Sequence, residues 1–190
     1  SARLGPCIEG GLCHGGAHPM ALSAQGKAVL ERLRSLKLLQ GRGQADGLLR
    51  LCHKGRLKGG LSIALLVTPD EAVGALTHAM DARGFRVLDV RGRVPMQLHI
   101  AIGKREEKWE VEGVEGLIHN LNDLYRDDGG TKRLVVLGEW EDMLQVWCVS
   151  REVLELLREE RWFEPRNREA VFAAARDGEH GGAFAPSNRE

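Results

Sequence analysis

At 190 residues, 43% of them hydrophobic and 28% charged, the chain has the length of one domain of ordinary size plus extra segments, and enough apolar material for a packed core. That composition excludes global disorder and removes the need for a disulfide framework, so four cysteines point to a reducing, cytoplasmic setting. The net charge of zero is unevenly spread: residues 1–60 hold ten Lys/Arg against three Asp/Glu, or +7, and residues 61–190 hold 17 against 24, or −7.

Residues 1–22, rich in Gly and Pro and poor in apolar periodicity, are expected to form a flexible leader, with Met20 a candidate natural start. Residues 23–60 are expected to form a basic helical arm. In "SAQGKAVLERLRSLKLLQ", Val29, Leu30, Leu33 and Leu36 recur at helical spacing, Ser23 is placed to cap, and "GRG" is the stop. A second helix is predicted from Asp46 through "GLLRLCHKG", ending before the glycines at 59 and 60. The pair makes a helical hairpin with Lys27, Arg32, Arg34, Lys37, Arg50, Lys54, Arg56 and Lys58 exposed.

The body, 61–176, opens on "LSIALLV", read as a buried strand and too short for the run of about 18 apolar residues that spans a bilayer. No basic patch precedes a continuous apolar run near the N-terminus, so no signal peptide is predicted. "TPDEAVGALTHAMDARG" carries a cap at Thr68, Pro69 at the first helical position, early acids and Gly84 as terminator. "FRVLDVR", "MQLHIAI" and "KWEVE" follow as strands, the last two alternating apolar and polar, with "GKREEK" as a charged turn. Val114, Leu117, Ile118, Leu121 and Leu124 mark an amphipathic helix. "RLVVLGEWEDMLQVWCV" reads as a hairpin about "GEWED", with the unalternating Leu134 to Leu137 as a central strand. Ser150 and Asn167 are placed to cap helices "REVLELLREER" and "REAVFAAAR", and residues 177–190 are expected to be a disordered tail. This order predicts an α+β fold: an antiparallel sheet with helices mainly on one face, whose opening run resembles a ferredoxin-like sandwich with an extra hairpin.

Chemical signatures are sparse. Cys7, Cys13, His14 and His18 are zinc-type ligands that Cys52 and His53 could complete, but no common knuckle spacing is present, and no cofactor is expected. Pro69-Asp70 with Glu106-x-Lys108 spells the bare pattern of the PD-(D/E)xK nucleases, in which two acids hold a divalent cation and the lysine orients water; here Asp70 falls where a helix starts. His119 and Asp123 lie one turn apart beside Asn120 and Asn122 on a polar helix face, and Glu139, Glu141 and Asp142 crowd a turn. His99, Gln97, Lys108, Glu110 and Glu112 share a polar sheet face, and the four tryptophans suit core or rim packing. No phosphate loop, nucleophile elbow or dinucleotide fingerprint occurs.

The basic arm is what remains. Its dense Lys/Arg surface suits neutralisation of phosphates with release of counterions, and its lack of aromatic residues favours duplex backbone over stacked single strands. The expected function is non-enzymatic nucleic-acid binding or regulation, with contacts from Lys27, Arg34, Lys37, Arg50, Lys54, Arg56 and Lys58 and an acidic body for regulation or assembly. The alternative is a protein-binding adaptor or inhibitor acting through the open sheet face; a metal-dependent nuclease is third, and a protein partner or self-association is left open with no surface assigned to it.

Overall fold

In a computed structural model, residues 22–41, 47–128 and 130–176 are described. The predicted leader (1–22, apart from Leu22) and tail (177–190) lie outside them, as do Cys7, Cys13, His14 and His18.

Two helices open the described chain. Helix α1 (Ala24–Ser35) starts where predicted, the Ser23 hydroxyl accepting from Gly26 N at 2.9 Å. It ends before the glycines of "GRG" because Lys37 adopts a left-handed conformation (φ 57°), so that Lys37 N donates to Arg34 O and Leu38 N to Leu33 O. Helix α2 (Leu48–His53) ends the same way, with Gly55 at φ 61° and Arg56 N donating to Leu51 O. The chains leaving both helices then run antiparallel, Gln40 N to Arg56 O and Lys58 N to Leu38 O.

Six strands divide into two antiparallel sheets rather than the single sheet expected. The central sheet has the order β1 (Gly60–Ala64), β6 (Met143–Val149), β5 (Arg133–Trp140). The outer sheet is a meander of β2 (Phe85–Arg91), β3 (Met96–Ile102) and β4 (Arg105–Val111). Helices α3 (Pro69–Met80) and α4 (Gly113–Leu124) lie between them, α3 touching β2, β5 and β6 and α4 touching β4 and β5. On this side Leu134, Val136, Leu144 and Val146 meet Leu76, Met80, Leu98, Ile100, Leu117 and Leu121 in one core. The opposite face of the central sheet, with Val135, Trp147 and Val149, carries a second core formed with α1, α2, α5 (Arg151–Leu157) and α6 (Arg168–Arg176). Helices therefore cover both faces of the central sheet, and only the outer sheet has them on one face.

This layering answers how the basic segment relates to the body. Val29, Leu30, Leu33, Leu51 and Leu57 are buried in the same core as Trp147 and Phe163, with α2 lying against all three strands of the central sheet, so α1 and α2 are part of its back layer together with α5 and α6. Full burial of each such side chain contributes about 1.5–3 kcal/mol. The join at residue 59 is close: a Cβ on Gly59 (φ 81°) would stand 2.2 Å from Cys148 O.

Several local expectations are revised. "LSIALLV" is an edge strand ending at Ala64, and Leu65 and Leu66 are exposed in the turn that follows. Helix α3 has Thr68 and Pro69 where predicted, but it stops at a left-handed Asp81 three residues before Gly84. Most of "GKREEK" is strand; the turn is confined to Gly103 and Lys104. Strand β5 lies at the edge and β6 in the centre. An unalternating apolar run reports burial on both faces, which β5 has, and says nothing of lateral position.

Candidate nucleic-acid interface

Five of the seven predicted contact residues gather at and beyond the closing ends of α1 and α2; Lys27 and Arg50 lie further back on the helices. Arg34 and Lys37 stand at the close of α1, Lys54 at the close of α2, and Arg56 and Lys58 on the antiparallel stretch beyond. The negative end of a helix dipole favours cations, which accounts for Arg34, Lys37 and Lys54 locally but not for Arg56 or Lys58. Lys27 lies two turns before Arg34 on the same side of α1, with the acidic Glu31 between them. Arg50 sits with its guanidinium 5.2 Å from the centre of the Trp140 ring, on the hairpin end of β5.

Lys27, Arg34, Lys37, Arg50, Lys54 and Lys58 are exposed and Arg56 half-buried. Among the described residues none of the seven lies within ion-pair distance of a carboxylate. The contrast with other cations is plain. Arg32 pairs with Glu160 at 2.9 Å and donates to Leu156 O at 3.2 Å, binding α1 to the α5 side. Arg166 spans Glu115 and Glu139, Arg126 meets Asp123, and Arg158 meets Glu155. The acidic body thus neutralises many of its own arginines and, among the described residues, leaves the α1–α2 set without carboxylate partners.

The chain matches no known family, no curated protein and no solved structure.

The other candidate groups are not brought together as chemistry would require. Among the described residues no cluster of three or more His, Cys, Asp or Glu is placed to hold a metal ion. Cys52 turns into the core, its thiol donating to Leu61 O and Val146 O at 3.5 Å, whereas His53 turns outward to Glu141 at 3.2 Å. Asp70 is on α3, which packs on the apolar side of the outer sheet. Glu106 and Lys108 stand on the other side of that sheet, Glu106 bound to His99 at 3.0 Å. Among the turn acids, Glu139 is held by Arg166 and Glu141 by His53. On α4, His119 and Asp123 are exposed, but Asn122 is buried and serves β5. The polar sheet face is present for four of the five predicted residues: Gln97, His99, Lys108 and Glu110, with Asp89 and Arg91, line a shallow trough of about 460 Å³, whereas Glu112 lies past the end of β4 as the N-cap of α4.

Two structural polar groups carried no recognised signal in the sequence. Arg133 is 2% exposed, and its guanidinium donates to Thr131 O, Lys132 O and Arg126 O; burial lowers its pKa. Asn167, read as a helix cap, gives its side chain to β5 instead, accepting from Val136 N and donating to Leu134 O, both at 2.9 Å.

Proposed function

We propose that this protein is a non-enzymatic nucleic-acid-binding protein that contacts phosphates through the α1–α2 layer. The observation that supports this reading is the set of five cations at and beyond the closing ends of α1 and α2, with Lys27 and Arg50 further back on the same helices, none of the seven within ion-pair distance of a carboxylate among the described residues, on helices packed into the second core. Helices already packed on the body leave only side-chain ordering to be overcome on meeting a phosphate backbone, and counterion release supplies the driving force. Contacts of this kind carry no sequence preference. Among the described residues no helix is long and apolar enough to cross a membrane.

Fluorescence anisotropy of a labelled duplex, titrated with the full chain at about 50 and 200 mM salt, tests the proposal. The expected result is binding that weakens steeply with salt, and a Lys37→Glu/Lys54→Glu/Lys58→Glu variant with a shallower salt slope, by about 0.9 for each phosphate no longer neutralised. Absence of binding by the intact chain at the lower salt, or unaltered binding by the variant, overturns it. A second reading, a protein-binding module, is favoured by the uncovered polar face of the outer sheet.

A further inference from the structure

The outer sheet turns three rows of side chains away from the core, and the strand register fixes their order. Arg86, Ala101 and Glu106 form the first row, Asp89, His99 and Lys108 the second, and Arg91, Gln97 and Glu110 the third. The six flanking side chains are all exposed, and among the described residues no helix or strand covers them. Every row carries opposite charges at its two ends, and the order alternates from row to row. Strand β2 reads positive, negative, positive; β4 reads negative, positive, negative.

We infer that this face is a docking surface for a second copy of the same chain, related by a two-fold axis running along β3. Rotation about that axis lays β2 of one copy over β4 of the other, row upon row. Arg86 then faces Glu106, Asp89 faces Lys108 and Arg91 faces Glu110, each twice, because an isologous interface repeats every contact. The alternative two-fold, across the strands, places Asp89 on Asp89 and Arg86 on Arg91, so the pattern selects one orientation and penalises the other. Sheets packed face to face keep their strands within about 30° of each other, which is compatible with rows this short.

Interactions within one chain leave the pattern available. Asp89 and Arg91 meet at 2.8 Å and His99 and Glu106 at 3.0 Å, all partly or fully exposed, while Arg86 and Lys108 have no carboxylate in ion-pair range among the described residues. Asp89 and Arg91 on β2 and Lys108 and Glu110 on β4 wall the trough over Gln97 and His99. Two copies meet along the walls of this trough and enclose water between them. Three rows of three side chains are fewer than the roughly 20–30 residues a side of a stable dimer, and exposed ion pairs each contribute little. The dimer is therefore weak and salt-sensitive. It does not depend on the nucleic-acid reading, since the α1–α2 layer lies on the far side of the central sheet.

Sedimentation velocity on the full chain tests the inference. Wild type is expected to shift toward twice the monomer mass as concentration approaches about 1 mM at low ionic strength, and to revert to monomer at about 0.5 M salt, where the screening length falls to a few ångströms. Arg86→Glu/Asp89→Lys/Arg91→Glu and Glu106→Arg/Lys108→Glu/Glu110→Arg each make the facing columns alike and are expected to be monomeric alone. Mixed in equal amounts, the two variants are complementary in all six pairs and are expected to associate at least as well as wild type. Circular dichroism confirms that both remain folded, and Lys108→Glu alone replaces a triple variant that does not. Wild type that stays monomeric throughout, a charge-reversed variant that still dimerises, or a mixture that stays monomeric each overturns the inference.

Discussion

Cys52 lies with its thiol between the carbonyls of Leu61 and Val146, and Cys148 donates to the carbonyl of Ala79. Burial disfavours the thiolate at both, pushing Cys52 up to about 11 and Cys148 up to about 12 from an ordinary value of 9.0. A thiol that is a weaker acid in the folded than in the unfolded chain stabilises fully below the unfolded pKa, and the gain is lost as pH rises through the folded one. Stability measured by denaturant titration is expected to hold up to about pH 8 and to fall between roughly pH 9 and 12, each unit of raised pKa being worth about 1.4 kcal/mol. Burial raises the Tyr125 pKa as well, so the cysteine share is the part removed in a Cys52→Ala/Cys148→Ala variant. Both thiols are therefore held in the neutral form at neutral pH, the less nucleophilic state. In the sequence Cys52 and His53 were adjacent zinc-type residues, and only their opposite directions on α2 separate them.

Strand β5 shows what an element requires beyond its own pattern. As the edge of the central sheet it would offer unpaired backbone groups to another chain. Asn122 from α4 closes Leu134, accepting from its N–H at 2.9 Å and donating to its carbonyl at 2.8 Å; Asn167 closes Val136 N, and Arg166 N donates to Val136 O. Asn122→Ala leaves the buried Leu134 N–H without a partner, while Leu134 O keeps its bond from Asn167, and is expected to cost about 1–3 kcal/mol in urea denaturation, with faster hydrogen exchange at the Leu134 amide. Asn167→Ala, at a half-buried site, is expected to cost less. Strand and helix identities were legible because alternation and helical spacing survive any tertiary arrangement. The role of these two asparagines was not, since a polar residue on an amphipathic helix looks the same whether it meets water or a strand edge.

At the scale of the molecule, α1 and α2 are part of the back layer of the central sheet, with Leu30, Leu33, Leu51 and Leu57 at 0–2% exposure. A chain beginning at residue 61 would uncover Val135, Trp147 and Val149 and leave the Trp147 indole without the Lys58 carbonyl it donates to at 2.9 Å. Such a chain is expected to show no cooperative thermal unfolding, because losing the α1–α2 part of the second core removes several side-chain burials of about 1.5–3 kcal/mol each. Point substitutions, not truncation, are accordingly the means to probe the basic surface.

Local chemistry in the chain was enough to determine the α+β class, most elements, the polar face of the outer sheet and the concentration of positive charge in the first sixty residues, since each depends on neighbours a few positions apart. The division into two sheets, the edge position of β5, the docking of the basic helices and the pairing of the body's arginines with its own acids were decided only on folding. Those features depend on contacts between residues tens of positions apart, and shape, not pattern, selects among the arrangements that bury the same apolar faces.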